Sequence, residues 1–283
     1  MFEILENQTL APTVYRLVLR APEVARKHRA GNFVMLRIHE KGERIPLTVA
    51  DKDPEAGTLT LVFQAVGKTT TELGELPVGS RLLDLAGPLG RPTHIEKFPG
   101  VTVCVGGGIG VAPVHPIARA LRDAGNRVVS IIGARTQELL ILEDEMRRAS
   151  DELLVATDDG SYGHHGFVTD VLRQVIEREG KDRVSLVMAI GPVPMMRACC
   201  KVTREYAVPT EVSLNPIMVD ATGMCGACRV SVGGETKFAC VDGPEFDGHQ
   251  VDFDELTQRL RIYLDDEKRA MQVFHEGHAH RCS

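Results

Sequence analysis

Polar and apolar residues alternate along 15–20 (Tyr-Arg-Leu-Val-Leu-Arg), 33–38 and 59–63, the period of strands that bury one face. Turn residues such as Gly31-Asn32 and Pro54-Glu55-Ala56-Gly57 separate them. Several short strands so closely spaced predict a β barrel over 1–96. The rhythm then changes. Continuous apolar runs at 101–105, 128–132, 153–156 and 184–190 alternate with stretches of helical spacing at 112–124, 138–148, 168–178 and 194–206. Strands buried on both faces and joined by helices predict an open parallel sheet over 97–210. Segment 211–250 loses both periods and is rich in glycine and cysteine; a charged amphipathic helix over 252–274 lies in a closing segment, 251–283.

The first run of the second region leads directly into Gly106-Gly107-Gly108-Ile109-Gly110 and then a helical pattern. A glycine turn there lies at the carboxyl edge of the sheet, where such sheets bind ligands, and lets backbone amides approach a pyrophosphate at a helix start. Glycine in a tight strand-to-helix turn can equally be steric, so the turn by itself leaves both readings open.

With 283 residues, 43% hydrophobic and a net charge of −6, the chain reads as a globular protein of about two domains, and the lack of a basic excess argues against nucleic acid. No basic stretch with an apolar run opens the chain, and no apolar run is long enough for a membrane span, so a cytoplasmic location is expected. Seven cysteines then read as reduced thiols or metal ligands. Cys104, Cys199, Cys200 and Cys282 are scattered, whereas Cys225, Cys228 and Cys240 crowd into one glycine-containing segment.

The spacing Asp220-x4-Cys225-x2-Cys228-x11-Cys240 is similar to the plant-type [2Fe-2S] pattern, with an aspartate in the place of the first cysteine. A carboxylate can ligate ferric iron, although it is a harder donor than thiolate. Zinc in a mixed oxygen and sulfur shell, or three small buried side chains with no metal, are the other readings.

Taken in order, the barrel, the glycine turn and this segment make the chain resemble the ferredoxin reductase-like flavoproteins. The branch is that of dihydroorotate dehydrogenase electron-transfer subunits and the small subunits of NADH-dependent reduced ferredoxin:NADP oxidoreductase. Segments 44–48, 67–71, 87–90, 106–113, 133–135, 158–163, 191–196 and 240–244 carry the likeness. It implies an FAD barrel, a Rossmann-like nicotinamide domain and a small C-terminal [2Fe-2S] domain. It places FAD at Arg44, Pro46, Leu47 and Thr48 and at Val66, Gly67, Thr69, Thr70 and Thr71. NAD(H) falls at Gly107, Gly108, Gly110, Ala112, Pro113, Gly133, Ala134, Arg135, Asp158, Asp159, Gly191, Pro192, Met195 and Met196. The cluster falls at Asp220, Cys225, Cys228 and Cys240. Ile190 stands where many reductases carry a cysteine, so no catalytic thiol is expected. The implied activity is electron transfer between NADH and a larger flavin and iron-sulfur partner subunit, in a complex that couples NADH, NADP and ferredoxin by bifurcation. The alternatives are the electron-transfer subunit of an NAD-dependent dihydroorotate dehydrogenase and, remotely, a zinc-stabilised interaction module.

Overall fold

The computed structural model describes residues 2–279, so Cys282 lies outside it. Its first part runs β1 (Phe2–Ala11), β2 (Val14–Arg20), α1 (Pro22–Lys27), β3 (Phe33–Arg37), β4 (Ile45–Asp53), β5 (Thr58–Gln64), α2 (Lys68–Glu75), β6 (Arg81–Leu82) and β7 (Asp84–Leu89). The antiparallel sheet has the order β6-β1-β2-β5-β4-β3-β7. Its two edge strands, β6 and β7, are separated in sequence only by Leu83, so the sheet must curl almost into a closed barrel. Alternation decides what fills it: Leu17, Leu19, Val34, Leu36, Leu59 and Leu61 point inward and are buried.

The second part runs β8 (Val101–Gly107), α3 (Val111–Asp123), β9 (Arg127–Ala134), α4 (Glu143–Ala149), β10 (Glu152–Thr157), β11 (His164–His165), α5 (Val168–Glu179), β12 (Val184–Ile190), α6 (Val193–Glu205) and β13 (Thr210–Ser213). Its strands form a parallel sheet in the order β11-β10-β9-β8-β12-β13, with helices packed on both faces. The helical spacing at 138–148 yields only α4 after a break, because Leu142 takes a left-handed φ of 55°.

The cysteine segment adds a hairpin of β14 (Arg229–Val232) and β15 (Glu235–Phe238), and β16 (Glu245–Asp247), which pairs antiparallel with β13 and so extends the parallel sheet. It is therefore woven into the second domain instead of hanging from it. The helix expected over 252–274 is two, α7 (Phe253–Arg259) and α8 (Leu264–Ala279), with i→i+3 bonds between them at Arg261, Ile262 and Leu264. They bury different surfaces: Phe253 and Leu256 of α7 enter the core under the parallel sheet, whereas α8 lies against α2 of the barrel. No helix among the described residues is long and apolar enough to cross a membrane.

Three segments meet at Glu245. Its carboxylate accepts a hydrogen bond of 2.7 Å from the Thr93 hydroxyl on the inter-domain linker, and a Cβ at Gly31 of the barrel would come within 2.9 Å of it. Burial pushes the Glu245 carboxyl from 4.5 up to about 8, with Thr93 pulling it down and Glu211 pushing it further up. The folded chain thus keeps a proton that the unfolded chain releases. Its contribution to stability is full below the unfolded value and is lost as pH rises toward the folded one, at no more than about 1.4 kcal/mol per pH unit. Glu245→Gln should flatten this decline, as measured by denaturant unfolding at a series of pH values between the two; an unchanged slope would rule it out.

Candidate functional site

Three sites can be built from the residues upward, and β3 lies beside two of them. On β4, Ile45, Leu47 and Val49 pack on the barrel core, so Pro46 and Thr48 point outward. Leu47 is thereby taken off the face that holds the other two, and its side chain serves the barrel interior. Thr48 is paired with Phe33 and Pro46 with Met35 across β3, and one step along β4 Ala50 is covered by the second domain, where His115 Nδ1 lies 3.1 Å from its carbonyl. Arg44, at the start of this strand, is exposed and forms no ion pair with a described residue.

Helix α2 opens at Gly67, with open space in front of that residue. Lys68, Thr69 and Thr70 present amides that an α-helix cannot satisfy internally, which is the arrangement that binds a phosphate group. The three threonines are not equivalent. Thr70 Oγ1 accepts from the amides of Val66 and Gly67 (both 3.1 Å) and donates to the Gly67 carbonyl, a capping role. Thr69 is buried and donates to Glu43 at 2.9 Å, tying α2 to the loop before Arg44. Thr71 is left with a hydroxyl that no described group engages. The first turn also carries Lys68, a cation that motif matching passed over.

A cleft of about 500 Å³ lies between the domains, lined by Val14 and Gln64 of the barrel and by the carboxyl edge of the parallel sheet. It brings together Gly107, Gly108, Gly133, Ala134, Arg135, Asp158, Pro192 and Met195. Asp158 stands beside the sheet because its amide donates to the Ala134 carbonyl at 3.1 Å. Met195 lies across the glycine backbones: a Cβ on Gly107 would meet its sulfur at 2.2 Å. Other expected contacts line no part of the cleft. Met196 and Ala112 are fully buried under the sheet, Pro113 continues α3, and Asp159 turns its carboxylate to Ser161. Gly110 is steric, since a Cβ there would lie 2.2 Å from the Ile190 carbonyl oxygen, and Gly191 abuts it and Met195. Phe167, which is 61% exposed on the cleft wall, offers a flat apolar face that no glycine motif announces.

The cysteine segment packs on the outer face of β3. Phe33 and Met35 form one buried cluster with Ala221, Cys228, Ala239 and Cys240. Cys228 and Cys240 bring their sulfurs to 3.2 Å, and burial and the neighbouring thiol push Cys240 up to about 12 when no metal is bound. Asp220 accepts from the amides of Thr222 (2.9 Å) and Cys225 (3.1 Å). These bonds, chiefly that of Thr222, hold its carboxyl below the usual range, and the Cys225 side chain adds to the effect. The loop curls through left-handed φ at Ala221 (59°), Gly223 (83°) and Gly226 (68°). The four candidate ligands thus fall into two pairs, Asp220 with Cys225 and Cys228 with Cys240. No group of three or more His, Cys, Asp or Glu among the described residues surrounds a single point. Two pairs suit two irons better than one tetrahedral zinc.

The family described as the iron-sulfur cluster binding domain of dihydroorotate dehydrogenase B matches residues 215–252, and the oxidoreductase NAD-binding domain matches 104–201. A Thermotoga maritima protein, the homolog of the dihydroorotate dehydrogenase B (NAD(+)) electron transfer subunit, is 50% identical over 272 residues, covering 96% of this chain and 95% of its own. The chain belongs to the dihydroorotate dehydrogenase B electron transfer subunit family. A Geobacillus thermodenitrificans member is 35% identical and covers 88% of this chain and 96% of its own. Among solved structures, a chain of the NADH-dependent reduced ferredoxin-NADP oxidoreductase superposes with a TM-score of 0.91 at 49% identity, covering 97% of this chain and 98% of that one. Phthalate dioxygenase reductase, at 17% identity, a TM-score of 0.60, and 82% and 85% coverage, shares the fold. In this family member the barrel, the cleft and the cysteine segment follow one another as in a ferredoxin reductase-like flavoprotein.

The glycines of the turn should separate by variant. Gly110→Ala, which forces a Cβ onto backbone, should cost about 1–3 kcal/mol and lower the melting temperature. Gly107→Ala clashes only with the movable Met195 side chain, Pro192 lying at an ordinary 3.5 Å, and should keep the wild-type melting temperature while weakening NADH binding in a fluorescence titration.

Proposed function

We propose that the chain exchanges hydride between NAD(H) and a bound FAD, and relays single electrons through a [2Fe-2S] cluster to a larger flavin and iron-sulfur partner subunit. The observation that carries this reading is the placement of Pro46 and Thr48 beside Met35 and Phe33, the residues on which Cys228 and Cys240 pack. When bound, FAD converts a two-electron hydride into single electrons, which a [2Fe-2S] cluster accepts one at a time.

The residues supply binding, alignment and exclusion of water. Gly107, Gly108 and the amides around them receive the nicotinamide dinucleotide pyrophosphate at the start of α3. Gly133, Ala134, Arg135 and Asp158 would line its adenosine side, and Pro192 and Met195 its nicotinamide side. Gln64 and Val14 close the cleft from the barrel and would exclude water from a nicotinamide ring bound there. Thr48 and Pro46 orient the flavin ring, Arg44 offers a forked cation, and Val66, Gly67 and the first turn of α2 with Thr71 hold the FAD pyrophosphate. No side chain need move a proton, because hydride transfer depends on alignment. Asp220, Cys225, Cys228 and Cys240 hold the cluster.

The solved relative's description names NADH-dependent reduced ferredoxin-NADP oxidoreductase and flavin-based electron bifurcation, and we take ferredoxin and NADP coupling through the partner as the setting of this chain. The second reading is electron transfer for an NAD-dependent dihydroorotate dehydrogenase, favoured by the names of relatives at 34–35% identity. Asp220 favours the first reading, since the family resemblance implies a cysteine in its place in the dihydroorotate branch. We place the protein in the cytoplasm, a reading supported by its free thiols, of which burial raises Cys104 and Cys199 to about 12.

Anaerobic NADH added to the iron-loaded chain should bleach the flavin band and raise the EPR signal of a reduced [2Fe-2S] cluster; a colourless protein that NADH leaves unchanged would overturn the function. Asp220→Ala and Asp220→Cys should each alter that EPR signal. Wild-type spectra from both would mean that another residue completes the shell.

A further inference from the structure

Helix α7 lies beyond the part of the chain matched by the iron-sulfur family, yet its last residue reaches back to the cluster loop. Arg259 donates from Nη2 to the carbonyl of Ala227, between Cys225 and Cys228, at 2.9 Å. Its place is set from the other end of the helix. Asp252 caps the amides of Asp254 and Glu255, Phe253 and Leu256 are buried in the core under the sheet, and Arg197 grips Asp254 through two bonds of 2.6 and 3.2 Å. Arg259 stands three residues after Leu256, so it occupies the inward stripe of α7, where an apolar side chain is the ordinary choice.

Its guanidinium is only partly engaged. Nε is buried without an acceptor, and among the described residues Arg259 forms no ion pair. A buried donor left over on a cation calls for an explanation, since buried charge is ordinarily matched by an opposite charge. Arg229, the other cation of this loop, is exposed and donates to the Gly226 carbonyl at 3.3 Å. A [2Fe-2S] cluster held by Asp220, Cys225, Cys228 and Cys240 would supply that negative charge. Three thiolates and a carboxylate around a diferric, two-sulfide core leave a dianion, and reduction by one electron makes it more negative.

We propose that Arg259 is a positioning residue that holds the loop between Cys225 and Cys228 and sets the reduction potential of the [2Fe-2S] cluster, by fixing an unneutralised cation beside it. The inference rests on the cluster reading given above. A cation held there favours the reduced, more negative state and so raises the potential, as charge and hydrogen bonding around cluster sulfurs do generally. Because α7 is anchored in the nicotinamide domain, that domain and the cluster loop share one strut.

The test is an EPR-monitored redox titration of the iron-loaded full-length chain with Arg259, Arg259→Lys and Arg259→Gln. Gln retains a donor for the Ala227 carbonyl without the charge; Lys retains the charge without the fork. The expected result is a cluster potential shifted to a more negative value in Arg259→Gln and nearer wild type in Arg259→Lys, with the rate of flavin bleaching by NADH unchanged in both. Wild-type potentials in both variants would overturn the proposal. So would loss of the cluster from both with flavin retained, which would make Arg259 a structural clamp and nothing more. A wild-type chain that held no cluster would instead sink the functional reading, before any variant was made.

Discussion

The organisation of this protein depends on the packing of the cysteine segment against the outer face of strand β3. Phe33 and Met35 point away from the barrel core because their neighbours Val34 and Leu36 point into it, and strand alternation allows nothing else. The apolar face thus exposed must be covered, and it is covered by Ala221, Cys228, Ala239 and Cys240. A requirement of hydrophobic burial thereby brings two cysteines, otherwise polarisable and reactive, to a sheltered place beside β3 and β4, the strand pair proposed to face the flavin. Cys225, on the same loop, stays exposed, which leaves one side of the proposed cluster site open.

Beyond the apolar packing that Ala11, Val14, Ala50 and Val62 share with α3, specific polar and strand contacts lock the three parts of the chain. The Thr93–Glu245 hydrogen bond ties the linker to the cluster segment, Arg119 pairs with Asp51 at 2.6 Å to tie α3 to the barrel, and β16 ties the cluster segment to the parallel sheet. The Arg119–Asp51 pair is partly exposed and is worth little as energy; its service is to orient α3 against β4. With these in place, the cleft between barrel and sheet has walls from both domains.

Much of this was legible from short-range pattern. Period-two alternation marks the barrel, continuous apolar runs between helical stretches mark the parallel sheet, and the glycine turn after β8 falls at the carboxyl edge as its spacing implies. The spacing of Asp220, Cys225, Cys228 and Cys240 singles out the ligand candidates because a loop that wraps a cluster needs them close in sequence. Some details escaped for the same reason. A motif string cannot tell that Leu47 faces the barrel core, that Thr70 is consumed by its own helix cap, or that Met196 and Gly110 are packing residues among glycine-rich neighbours.

The sequence by itself determined the local elements, the order of the three parts and the residue types able to hold phosphate and iron, since each follows from hydrogen bonding and burial within a few residues. Only the tertiary structure decided which candidates meet. The pairing of Cys228 with Cys240, the covering of that pair by Phe33 and Met35, and the reach of Arg259 to Ala227 link positions distant along the chain. Such contacts arise from closing the barrel and docking it on the sheet, and no spacing rule encodes them.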